Sequence, residues 1–99
     1  MLIKGKAALE QEDALQLQVQ AAKGRFFEMI EGKEFPIRIS FKLYRPTKHR
    51  FDYVNCIQGI LDQMVKCGLV PDDSADYVIP HFEPYEIDKI NPRTEIVIL

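Results

Sequence analysis

Residues 35–44 alternate without a break: Ile37, Ile39, Phe41 and Leu43 fall on one side, and Arg38, Ser40, Lys42 and Tyr44 on the other. A period of two over this length predicts a β-strand with one face on a core and the other basic and wet. Pro46, in Arg45-Pro46-Thr47, ends it because proline has no N–H to offer a ladder. The apolar face of this strand has to be covered, and the flanking segments carry helical rather than strand periodicity.

Residues 7–31 place Leu15, Val19, Ala22, Phe26 and Ile30 at spacings that fall on one helical face. Gly24 weakens that helix and Gly32 is placed to end it, while Gln11, Gln16, Gln18 and Gln20 form its polar side. A second helix follows the loop at 48–51, with Asp52 as its N-cap. Its apolar stripe is Val54, Ile57, Leu61 and Met64, joined by Ile60 and Val65, and Gly68 closes it. Leu69 and Val70 then anchor a turn built on Pro71-Asp72-Asp73. Residues 76–82 read as a strand with Tyr77 and Ile79 alternating, and Pro80 marks it as an edge or bulged strand. An acidic loop over 83–92 leads to a last strand over 94–99.

The order helix, strand, helix, strand, strand predicts an α+β fold, with two helices packed on a small mixed β-sheet. The strand–helix–strand unit over 37–82 crosses over right-handed if its strands are parallel. At 99 residues and 46% hydrophobic, residues 1–99 make a single domain with one core. No repeat or low-complexity segment interrupts it.

No run approaches the roughly 18 apolar residues that cross a bilayer, and the first residues lack the pattern of a signal peptide. Cys56 and Cys67 are eleven positions apart on one expected helix, or roughly 16 Å, which is beyond disulfide reach. They read as thiols in a reducing compartment, and the expected location is cytoplasmic. The net charge of −2 conceals an uneven distribution. Arg38, Lys42, Arg45, Lys48 and Arg50 occur with no acid among them, whereas acids dominate from Asp72 to Glu95.

Two readings of these charges stand side by side. The basic strand face and loop (Arg38, Lys42, Arg45, Lys48, His49, Arg50) track a phosphate backbone, or they form a solvated face. Asp52 and Asp73, with Asp72 beside it, hold Mg²⁺ or Mn²⁺ through carboxylate oxygens, or they are an ordinary cap and an ordinary turn. Tyr44, Phe51 and Tyr53 stack on a base or pack in the core. The histidines, His49 and His81, have no cysteine spacing that fits zinc, and no glycine-rich phosphate loop occurs.

The segment Lys48-His-Arg-Phe-Asp52-Tyr-Val-Asn55, then Leu61-Asp62, then Gly68-Leu-Val-Pro-Asp72-Asp73 resembles the RusA-type Holliday-junction resolvases of phages and prophages. The resemblance extends in element order over residues 35–99, and the spacing from the first aspartate to the last matches without a gap. It implies a homodimeric, Mg²⁺-dependent endodeoxyribonuclease that binds and resolves branched DNA in recombination and repair. It also implies Asp52 and Asp73 as metal ligands, with Asn55 as a neighbouring motif residue. Two positions depart from the pattern. Val54 stands where the family has a second metal-site aspartate, and Gln58 where it has a lysine, which implies weakened metal binding and cleavage. The alternative is a non-catalytic member of the fold that binds branched DNA or a protein partner. The family's N-terminal strand is expected to be missing.

One expectation concerns geometry. Asp52 and Asp73 flank a helix roughly 22 Å long, and a Pro-Asp-Asp turn is not extended enough to return that far. A complete site then pairs Asp52 of one chain with Asp73 of another across a two-fold dimer.

Overall fold

The computed structural model describes residues 1–5 and 12–99. Its elements are β1 (Leu2–Lys4), α1 (Glu12–Ile30), β2 (Ile37–Arg45), α2 (Tyr53–Lys66), β3 (Val78–Phe82), β4 (Glu86–Ile87) and β5 (Arg93–Ile98). The α+β class is the expected one, with two helices and a mixed sheet. The front of the expected first helix, residues 7–11, lies outside the described residues.

The sheet runs β1-β5-β2-β3, with β4 pairing the far end of β2. Strand β2 is antiparallel to β5 and parallel to β3 and β4. Pro80 lies in the edge strand β3, where a missing donor costs least. Strand β1 precedes α1 where the sequence reading has no strand. Three residues are too short to show a period; β1 is defined by its antiparallel pairing with β5, which sets Ile3 opposite Thr94.

Register decides which side chains share a face. Ile37, Ile39, Phe41 and Leu43 are buried on one face of β2, continued by Val78 of β3, Ile96 of β5 and Ile3 of β1. Leu15, Val19 and Phe26 of α1 and Ile57, Ile60 and Met64 of α2 complete this core. Each fully buried aliphatic or aromatic side chain contributes about 1.5–3 kcal/mol, so this shared layer holds the helices to the sheet. In β3 the inward residue is Val78, opposite Ile37, and the expected alternation of Tyr77 and Ile79 is out of phase with it. The other face of the sheet, with Arg38, Lys42 and Tyr44, carries no helix among the described residues.

Helix α2 is capped at both ends by its own sequence. Asp52 is extended (φ −120°, ψ 124°), and its Oδ1 accepts from the Val54 N–H at 2.9 Å. At the other end Gly68, at φ +78°, donates to the Val65 carbonyl at 3.0 Å, and Leu69 donates to Met64 at 2.8 Å. These are the paired bonds of a Schellman turn, and the buried side chains of Met64 and Leu69 sit at the positions of its usual apolar contact. Val54 departs from the expected stripe. It is 60% exposed, whereas Tyr53 and Cys56 of the same turn pack against the core.

Candidate nucleic-acid interface

The contiguous basic run of the sequence separates into three environments. Lys48, His49 and Arg50 are exposed in the loop that leads into Asp52, and none has an ion-pair partner among the described residues. Arg38 and Lys42 lie on the helix-free face of the sheet. Lys42 pairs with Glu86 at 3.4 Å. Partial desolvation opposes its charge, but the Glu86 hydrogen bond and carboxylate outweigh this and hold its ammonium above the ordinary value. Beside it, Arg93 pairs with Asp88 and Glu95, both at 2.9 Å, and its guanidinium lies 3.7 Å from the centre of the Tyr44 ring. The acidic segment that follows β3 therefore neutralises much of this face.

Arg45 corrects the sequence reading. It is in phase with Leu43, so its side chain turns toward the helical layer and not toward the wet face. Its guanidinium sits 4.0 Å from the centre of the Phe51 ring and donates to the Cys56 sulfur at 3.5 Å. Its Nε is buried without a partner. Arg45 is a clamp on the loop before α2, not part of the exposed phosphate-tracking set. Cys56 is half-buried and Cys67 buried, and both are free thiols.

The acidic residues also lie differently from the helix-length argument. The Gln58 amide donates to Asp62 at 2.9 Å and to Asp73 at 3.4 Å. Gln58 is six positions after Asp52, or about 9 Å along the helix axis, so Asp73 is folded back well inside the length of α2. The cause is local. The Schellman turn reverses the chain at Gly68, and Leu69 and Val70, each 2% exposed, pin the return segment to the core. Chain reach no longer requires Asp73 to come from a second molecule. Asp72 is exposed on the same turn, and Asn55 is exposed on the first turn of α2.

Among the described residues no group of three or more His, Cys, Asp or Glu side chains is placed to hold an ion. Asp52 commits one oxygen to its cap, and Val54, two positions on, is exposed.

The feature the sequence reading did not find is a groove of about 630 Å³ beside the basic loop, lined by Arg50, Phe51, Asp52, Tyr53, Val54 and Phe82. Its aromatic wall is held by ring–ring contacts. Phe51 meets Tyr53 at 5.1 Å and Tyr85 at 4.9 Å between ring centres, and Tyr53 meets Phe82 at 5.5 Å. The Tyr53 hydroxyl accepts from the Tyr85 N–H at 3.0 Å. Phe82 and Tyr85 are remote from Phe51 in sequence, and only the parallel pairing of β3 and β4 with β2 brings them there. A cationic loop beside a half-exposed aromatic groove can hold a phosphate chain and the flat groups attached to it.

The class that fold and site define is thus an α+β domain with helices on one sheet face and a basic–aromatic surface at the start of α2. Comparison with protein-family models, curated proteins and solved structures returns no match to this chain. Among the described residues no helix is long and apolar enough to cross a membrane.

Proposed function

We propose that this chain is a RusA-like, cytoplasmic protein that binds branched DNA, with metal-dependent cleavage weakened by the changes at Val54 and Gln58. One observation carries the reading. The fold brings Asp73, distant in sequence, against Gln58, on the same helix that Asp52 opens and the basic loop precedes. The motif positions that resemble the resolvases thereby lie along one helix and its return turn. Lys48 and Arg50 supply the charge for phosphates, with His49 between them, and Arg38 is a separate cation on the other sheet face. Binding is weighted above cleavage, because Val54 and Gln58 stand where the resemblance calls for a second metal-site aspartate and a lysine.

The test is a four-way junction offered to the protein with and without Mn²⁺. Junction binding that falls steeply with salt and is weakened in a Lys48→Ala, Arg50→Ala variant is the expected result. No preference for the junction over a linear duplex overturns the assignment to branched DNA.

A further inference from the structure

We propose that the groove between Phe82 and Val54, floored by Tyr53, receives an unpaired nucleobase of a DNA strand whose phosphates lie on Lys48 and Arg50. This rests on the DNA-binding reading and adds the chemical group that the site recognises. Three observations point to a base. First, Phe82 is 38% exposed and Val54 60% exposed, so the groove presents apolar surface that the fold leaves uncovered. Second, the wall is braced by contacts within the fold. Phe82 rests on Tyr53 and on wholly buried Phe41, 6.2 Å between ring centres, and the Tyr53 hydroxyl is tied to the backbone of Tyr85. A preorganised platform loses little side-chain freedom on stacking. Third, the loop that leads into the groove carries the exposed cations Lys48 and Arg50, and Arg50 lines the groove itself. An apolar peptide has no use for that charge, whereas a nucleotide joins a flat ring to a phosphate.

Asp52 adds a polar contact. Its Oδ1 accepts from the Val54 N–H, and its second oxygen has no hydrogen-bond donor among the described residues. A carboxylate accepts well from the amino group of cytosine, so a cytosine suits the groove better than a thymine.

The test separates base from backbone. A single-stranded deoxycytidine 12-mer is compared with an abasic 12-mer of equal charge, by fluorescence anisotropy. Expected is roughly tenfold tighter binding of the cytidine strand, the scale of one base stacked on an aromatic side chain. Phe82→Ala removes that difference, Phe82→Tyr retains it, and Lys48→Ala weakens both strands alike. If both strands bind equally, or if Phe82→Ala weakens both by the same factor, the base-stacking site is wrong while the DNA-binding reading stands. If neither strand nor a four-way junction binds, both proposals fall together.

Discussion

The side-chain amide of Gln58 lies 2.9 Å from Asp62 Oδ1 and 3.4 Å from Asp73 Oδ2, joining the middle of α2 to the turn that follows it. Two carboxylates therefore face one neutral donor. Replacing that donor with a cation adds charge–charge attraction in a solvent-exposed setting, where each such pair is worth a fraction of a kcal/mol. Gln58→Lys is expected to raise the unfolding free energy by about 0.5 kcal/mol in urea titrations at low salt. The gain is expected to shrink at about 1 M NaCl and in an Asp73→Asn background.

Val54→Asp tests the first turn of α2, which carries no acidic residue. The side chain is 60% exposed, so little packing is lost, and a carboxylate there meets the positive end of the helix. A gain of roughly 0.3–1 kcal/mol is expected from thermal or urea unfolding. Combined with Gln58→Lys it also returns both departed motif positions. Appearance of Mn²⁺-dependent junction cleavage in that double variant is the expected outcome, and a folded variant that still does not cut counts against the resolvase resemblance.

Gly68→Ala places a side chain at φ +78°, a conformation that costs an L-residue about 1–2 kcal/mol. The new Cβ also meets the Lys23 ammonium at 3.3 Å, which can swing away. The loss is therefore expected to reflect the backbone, and to appear as a lower melting temperature with retained helical circular dichroism.

Acid lability has a named contributor in Asp88. The Asn91 N–H, then the Arg93 guanidinium and the Ile90 N–H, hold its carboxyl below the ordinary value of 3.8. A depressed folded-state pKa gives stability that is present above the unfolded value and is lost as pH falls through the folded one. Asp88→Asn keeps an oxygen for the turn and removes the charge. Its deficit in urea midpoint relative to the native chain is expected at pH 7 and to disappear as pH falls through the depressed carboxyl value.

Arg45→Ala distinguishes a structural cation from a ligand-facing one. Loss of the contact over Phe51 and of the packed stem is expected to cost about 1 kcal/mol. DNA affinity of the folded variant is expected to fall less than that of Arg50→Ala, because Arg45 acts only through the loop that it holds.

Much of the secondary structure is legible locally. The alternation around Ile39 and Phe41, the Asp52 cap and the Gly68 stop each involve neighbours within a few residues, and each recurs in the structure. Strand β1 was not legible, because it has no period of its own and forms only on β5. The phase of β3 was missed for a related reason. Val78 turns inward because the parallel register sets it opposite Ile37, and register is a property of two strands together.

The candidate site divides along the same line. Sequence by itself determined that a basic loop runs into Asp52 at a helix start and that Asp72 and Asp73 follow Gly68 in a turn, since caps, breaks and charge order are one-dimensional. Only the tertiary structure decided that Arg45 turns inward and that Lys42 is matched by Glu86. It also decided that Asp73 comes back to Gln58 and that Phe82 joins Phe51 and Tyr53 in one groove. Each of these depends on where burial of Leu69, Val70 and the strand faces sends the chain next. That is set by the shared core and not by any neighbouring residue in the sequence.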